Sequence, residues 1–277
     1  MTDRYAVFGN PIMHSKSPLI HTAFARQTSE ALKYDAILVA EDGFDEAVDN
    51  FLDGAGKGLN VTIPFKEEAW ALAQQHSARA KLAGAVNTLY RNTQGELCGD
   101  NTDGVGLVTD ITVNHGGEIR GKTLLILGAG GAVRGVLEPI LAQQPGRLVI
   151  ANRTLSRAEA LAELFADYGD IEACSFADLQ GQQFDLVING TAASLQGEVP
   201  PLPDDLLKSG AWCYDMMYGA KPTAFNLWAL DHGADKALDG LGMLVEQAAE
   251  SFSLWRGIRP DTSEVIQELR HQLLAKK

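Results

Sequence analysis

Leu124-Leu125-Ile126-Leu127-Gly128-Ala129-Gly130-Gly131-Ala132-Val133 is the stretch on which the fold of this chain is decided. Four consecutive apolar residues predict a strand buried on both faces, and the glycines after it let the backbone turn directly into a helix reaching about Leu141. Such a succession opens a nucleotide-binding half-fold: the turn lets backbone approach a pyrophosphate, whose charge meets the free N–H groups of the helix start. The pattern departs from G-x-G-x-x-G, because Gly131 is extra and Val133 stands at the third glycine position. Alone, it also fits a plain tight connection between strand and helix.

Residues 148–151, 186–188 and 212–215 are short apolar runs that predict further strands of the same parallel sheet. The second strand ends in Asn152-Arg153-Thr154, with Arg157 close behind. An NAD site places a carboxylate there for the ribose 2′-hydroxyl, whereas two guanidiniums, a hydroxyl and an amide suit a 2′-phosphate and indicate NADP. The blander reading leaves Arg153 and Arg157 solvated at a helix start, where cations are electrostatically disfavoured.

Toward the N-terminus, strands at 4–8, 34–38, 58–63 and 86–90 alternate with helices from about Pro18, over 44–52 and over 66–75, which predicts a second parallel sheet flanked by helices. A helix over 104–112 bridges the halves, and two closing helices over 243–255 and 263–274 are expected to return to the first. The chain is therefore read as a two-domain α/β protein: 1–103 binds substrate, 104–238 is a Rossmann-type doubly wound domain, and 239–277 packs back to complete a two-lobed body with a cleft.

With 23 Lys+Arg against 36 Asp+Glu the net charge is −13, and no basic cluster overrides it, so nucleic acid and anionic membranes are excluded as partners. Cys98, Cys174 and Cys213 lie in no metal or redox spacing and indicate a reducing compartment. Neither a signal peptide nor an apolar run near the ~18 residues of a membrane span is found, so a cytoplasmic protein is expected. The acidity poses a question, since any anionic ligand must be held by a few local donors.

Candidate donors lie in the first half. Ser17-Pro18 reads as an N-cap followed by proline at the first helical position. Ser15 is not needed for that, and two hydroxyls at a helix start would seat a carboxylate. Asn60-Val61-Thr62-Ile63-Pro64-Phe65-Lys66 carries a strand into a turn and puts a lysine in the first turn of the next helix, a position suited to proton transfer. Asp103, in Asp100-Asn101-Thr102-Asp103-Gly104, and Asn87, in Ala85-Val86-Asn87-Thr88, supply a carboxylate and an amide. Singly these read as a cap, a strand end and a solvated lysine; together, at strand ends, they read as a site.

Several further motifs occur in order: Val7-Phe8-Gly9-Asn10-Pro11, Ser15-Lys16-Ser17-Pro18, Tyr214-Asp215-Met216 and Asp239-Gly240-Leu241-Gly242-Met243-Leu244. With those already quoted, they make the chain resemble the shikimate dehydrogenase family over nearly its whole length. The resemblance implies NADPH-dependent reversible reduction of 3-dehydroshikimate to shikimate, on the route to chorismate and the aromatic amino acids. It implies that Ser15 and Ser17 hold the substrate carboxylate, that Asn60, Thr62, Asn87, Asp103 and Gln247 surround catalytic Lys66 with Asp103 orienting it, and that Tyr218 approaches the substrate. The cofactor would be met by Gly128, Ala129, Gly130, Gly131, Ala132, Asn152, Arg153, Thr154, Arg157, Thr191, Met216, Gly240 and Met243. No metal is implied, and the assembly expected is a monomer or homodimer.

The chain departs from many members at Val133, often serine, and at Thr191-Ala192-Ala193, where a neighbouring hydroxyl is missing. Ser77-Ala78 replaces a frequently acidic stretch. A broader quinate/shikimate dehydrogenase using NAD is disfavoured by Arg153, Arg157 and Ser15. Retention of both Lys66 and Asp103 counts against a non-catalytic binding paralogue. The Ser15/Ser17 seat, with Asn87 and Asp103, counts against a folate-linked dehydrogenase.

Overall fold

The computed structural model describes residues 2–275, the side chain of Leu195 apart, and resolves two compact units. One takes in residues 2–106 and 245–265, the other 107–244 and 266–275.

The first unit contains β1 (Asp3–Gly9), α1 (Ser17–Thr28), β2 (Leu32–Leu38), α2 (Phe44–Asp53), β3 (Gly56–Val61), α3 (Lys66–Leu72), β4 (Gln75–His76), α4 (Ala78–Ala83), β5 (Thr88–Arg91) and β6 (Leu97–Asp100). Its six strands lie in the order β2-β1-β3-β5-β6-β4. β1 pairs in parallel with β2 and β3, but β5 runs antiparallel to both β3 and β6, so the sheet is mixed where a parallel one was expected. The cause is local. Asn92 Oδ1 accepts the N–H groups of Gln94 and Glu96, and Gly95 takes φ +84°, so the chain folds back into a hairpin instead of crossing over. Helix α3 stops at Leu72, short of the predicted 75, because Ala73 is extended and Gln74 N–H donates to Leu97 O in the sheet. Phe8, Phe44, Val61, Phe65, Val86 and Leu89 fill the core on one sheet face.

The second unit is entered along α5 (Asp103–Thr109), which continues as one π-helical turn over Asp110–Asn114. There follow β7 (Thr123–Leu127), α6 (Gly131–Leu141), β8 (Arg147–Ala151), α7 (Leu155–Leu164), β9 (Ile171–Cys174), β10 (Phe184–Asn189), β11 (Leu207–Asp215), α8 (Ala224–Asp231) and β12 (Lys236–Asp239). All pairings are parallel, in the order β12-β11-β10-β7-β8-β9. Strand order reverses between β7 and β10, the switch point at which doubly wound sheets bind ligands beyond their carboxyl ends.

Helix α9 (Leu241–Arg256) gives its first four residues to the second unit and the rest to the first, whereas α10 (Ser263–Ala275) belongs to the second from residue 266 onward. The closing helices are therefore shared between the units. Gly242, at the start of α9, leaves no room for a side chain: a Cβ there would overlap the Asp110 carboxylate, whose Oδ2 accepts the Tyr214 hydroxyl at 2.7 Å. Among the described residues no helix is long and apolar enough to cross a membrane.

His21 of α1 is fully buried, with its ring stacked on Tyr34 at 4.2 Å between centroids, and neither ring nitrogen has a hydrogen-bond partner among the described residues. Burial lowers its pKa from 6.5 to about 3, and the proximity of Asn60 opposes this only in part. Below 6.5 the unfolded chain therefore binds a proton that the folded one refuses, and folding weakens as pH falls, by about 1.4 kcal/mol per pH unit down to the folded pKa. In urea titrations between pH 6.5 and 4.5, His21→Phe, which keeps a flat ring and removes the titration, should lose less stability than the wild type. Parallel losses would contradict this reading of His21.

Candidate active site

In the first unit, the strand β3, the turn after it and the start of α3 place Lys66 where its Nζ donates to Asp103 Oδ2 at 2.5 Å. Helix α3 is held there by Val86 N–H, which donates to Lys66 O at 2.8 Å. Asp103 begins α5, and its N–H is met by Asn101 Oδ1, so its carboxylate is free to face other side chains. Asn87 Nδ2 donates to Asp103 Oδ1 at 2.8 Å, and its Oδ1 accepts Thr102 N–H at 2.9 Å. A backbone N–H can only donate, so the amide cannot be reversed: its nitrogen must face Asp103. Gln247 of α9 lies against the same amide, 3.3 Å from Asn87 Nδ2.

Asn60 sits below this group, with its Nδ2 donating to Asn87 O at 3.1 Å and to Ser251 Oγ at 3.0 Å, and its Oδ1 accepting the Tyr34 hydroxyl at 2.7 Å. A chain of polar groups therefore runs from Tyr34 through Asn60, Asn87 and Asp103 to Lys66. Burial pushes the Tyr34 hydroxyl pKa well up, and it remains a neutral relay. The serine pair is arranged differently from the sequence expectation. Ser17 is the first helical residue and not the cap, Lys16 occupies the cap position, and Ser15 Oγ accepts Ser17 N–H at 3.3 Å. Thr62 is placed by Gly9, where any side chain would overlap its methyl group.

In the second unit, Gly128 takes φ +103° beneath the Gly190 carbonyl and the Thr191 methyl, a conformation that favours glycine. Ala129, Gly130, Gly131 and Ala132 continue the turn into α6. The glycine missing from position 133 has a counterpart across the sheet. Val133 is buried, and a Cβ on Gly190 would overlap its Cγ2, so the close approach of helix and strand is kept by a glycine on the strand side. Gly240 likewise lies against the Met216 carbonyl, too close for a Cβ, and Met243 is buried one turn into α9. Asn189 Oδ1 accepts the Thr191 hydroxyl at 2.7 Å, and Asp215 accepts from Asn189, from Ser194 at 2.6 Å and from Met217 N–H, binding the ends of β10 and β11 together.

These residues fit a phosphorylated dinucleotide. Among the described residues, a side chain added at Gly130 or Gly131 would meet nothing within 4 Å, and no side chain caps the first turn of α6. Arg153 and Arg157 are exposed and, among the described residues, pair with no carboxylate. Helix α7 carries no acidic residue in its first turn, so both cations stand uncompensated at a positive helix end. Asn152 Nδ2 donates to Thr154 O at 2.8 Å and shapes that corner, and the Thr154 side chain is not used as a cap. Tyr218 is half-buried in this unit, and burial raises its pKa, with the Asp239 carboxylate adding to the effect.

Sequence reasoning missed Tyr34, Thr88, Ser251, Asn189, Ser194 and the role of Asp215. Only Ser251 left a signal, since it follows Gln247 by four residues on one helix and so shares its face.

Three family models match the chain: the shikimate dehydrogenase substrate binding domain over residues 7–89, shikimate/quinate 5-dehydrogenase over 110–196, and the shikimate 5′-dehydrogenase C-terminal domain over 240–270. The shikimate dehydrogenase (NADP(+)) of Alkalilimnicola ehrlichii is 61% identical over 98% of this chain and 99% of its own. Among solved structures, the Ael1 enzyme of Pseudomonas putida is 46% identical with a TM-score of 0.92, covering 97% of this chain and 98% of that one. The shikimate 5-dehydrogenase of Thermus thermophilus in complex with NADP(H) and shikimate is 31% identical with a TM-score of 0.87, over 98% of this chain and all of that one. Full-length identity of this order, on a chain whose first unit assembles Lys66, Asp103 and Asn87 and whose second carries the open glycine turn, places it in the shikimate dehydrogenase family.

Proposed function

We infer that the chain catalyses the reversible NADP-linked reduction of 3-dehydroshikimate to shikimate. The observation that carries this is the Lys66–Asp103 pair, held at 2.5 Å and flanked by Asn87 and Gln247, in a chain 61% identical to a shikimate dehydrogenase (NADP(+)). NADPH, when bound, supplies the hydride. Lys66 supplies the proton: as the ketone carbon is reduced, its oxygen gains negative charge, and the ammonium both stabilises that charge and protonates it. In the reverse direction Lys66 takes the hydroxyl proton. Asp103 aims the ammonium and accepts from the neighbouring substrate hydroxyl, while Asn87 keeps Asp103 from turning.

Ser15 and Ser17 would seat the substrate carboxylate with neutral donors at the positive end of α1. Thr62, Gln247 and Tyr218 would meet the ring hydroxyls, with Asn60 at the base of the constellation. The open turn from Gly128 to Ala132 would receive the pyrophosphate. Asn152, Arg153, Thr154 and Arg157 would take the 2′-phosphate, and Thr191, Met216, Gly240 and Met243 would lie toward the nicotinamide. A cytoplasmic monomer or homodimer without nucleic-acid or membrane partners accords with the acidic composition.

Lys66→Ala should lower turnover of shikimate by about 10²- to 10⁴-fold, the usual weight of a positioned acid or base, with NADP affinity by fluorescence titration unchanged. Near-normal turnover would remove Lys66 from the chemistry. Arg153→Asp should lower the ratio of kcat/KM for NADP over NAD by at least about tenfold, equivalent to ~1.4 kcal/mol of lost phosphate recognition. An unaltered ratio would show that Arg153 does not read the 2′-phosphate.

A further inference from the structure

We infer that Arg79, which lies outside the constellation above, is a positioning residue for it. One guanidinium holds both the turn that carries Asp103 and the helical turn that carries Gln247. The inference rests on the assignment of Lys66 and Asp103 as the acid–base pair.

Arg79 belongs to α4, and its Nε and Nη2 donate to the two oxygens of Asp100 at 2.7 and 2.9 Å. Nη2 also donates to Glu250 Oε1 at 3.0 Å. Asp100 is 5% exposed and closes β6, immediately before the turn to Asp103. That turn is internally stiff. Asp100 Oδ1 accepts Asn101 N–H at 2.7 Å, Asn101 Nδ2 donates to Ala85 O, and Asn101 Oδ1 accepts Asp103 N–H. A displacement of Asp100 is therefore passed to Asp103. Glu250 follows Gln247 by three residues on α9, one turn along the same face.

The charges around Arg79 decide what its removal would disturb. Glu250 is held a second time by Arg259, which also binds Glu246, both contacts at 2.6 Å. Helix α9 thus keeps a cation when Arg79 is lost. Among the described residues Asp100 has no other: its remaining donors there are the Ser77 hydroxyl and the Asn101 N–H. A buried carboxylate without a cation moves or takes a proton, so the consequence falls on the 100–103 turn. Lysine cannot replace arginine there. A single ammonium lacks the planar fork that grips both oxygens of Asp100 while reaching Glu250.

The test compares Arg79→Lys and Arg79→Met with Arg259→Met, which cuts the Glu246 and Glu250 contacts without touching Asp100. For each, kcat and KM for shikimate, the pH profile of kcat, and the dissociation constant of NADP by fluorescence titration are measured. Both Arg79 variants should lose at least about tenfold in kcat, as small misplacements of catalytic groups do, with a displaced pH profile and NADP affinity equal to wild type. Arg259→Met should retain the wild-type kcat within about threefold, with the wild-type profile. If Arg79→Met does not fold, Arg79→Lys decides. A folded Arg79→Lys enzyme with wild-type kcat and pH profile would overturn the inference, as would equal losses in the Arg79 and Arg259 variants, which would indicate weakened docking of α9. Wild-type protein that oxidises no shikimate would instead overturn the functional assignment, and this role with it.

Discussion

The substrate end of this molecule depends on one buried amide that cannot be turned round. Asn87 is 2% exposed, its oxygen is committed to the Thr102 N–H, and its nitrogen must therefore face Asp103. With one carboxylate oxygen taken by that amide, the other is left for Lys66. Reversing Asn87 would set a carbonyl oxygen against a carboxylate in a desolvated site and leave a backbone donor unmet, a double cost of the kind that buried polar networks do not tolerate. Asn60, Ser251 and Tyr34 pack beneath it and extend the same logic through the sheet.

A protein of net charge −13 that handles two anionic ligands needs its recognition to be local. In the second unit, on the proposed function, the donors would be backbone N–H groups at the start of α6 and two guanidiniums beside α7, which among the described residues meet no side-chain cap and no carboxylate respectively. In the first, on the proposed function, they would be the neutral hydroxyls of Ser15 and Ser17, while the ammonium of Lys66 is engaged by Asp103. Surface acidity is screened over roughly a Debye length of 8–10 Å, so it bears little on groups held at hydrogen-bond distance. On the proposed mechanism, the same separation of duties would keep the lysine for proton transfer instead of carboxylate binding.

Features with short sequence range were legible: the apolar run into the Gly128 turn, Lys66 at the first turn of α3, and the arginines after β8. What escaped was set by contacts between distant residues. The link from Asn60 to Ser251 spans 191 positions and that from Arg79 to Glu250 spans 171, and neither leaves a periodic trace. The antiparallel hairpin of β5 and β6 was hidden because its strands are only four residues long, so alternation of apolar and polar residues is too brief to read. Ser17 was misplaced by one position because Ser-Pro ordinarily marks a cap, whereas Ser15 supplies that bond here. Val133 read as a departure at the nucleotide turn, yet Gly190 restores the close approach from the opposite strand, a compensation visible only in three dimensions.

The most direct measurement is the absorbance of the reduced nicotinamide on mixing the protein with shikimate or quinate, each with NADP or NAD. Rapid reduction of NADP by shikimate, with the other three combinations much slower, is the result expected from the Arg153/Arg157 corner and the Ser15/Ser17 seat. No reduction in any combination would contradict a catalytic role for Lys66 and Asp103, and equal rates with NAD would contradict the assignment of the arginines.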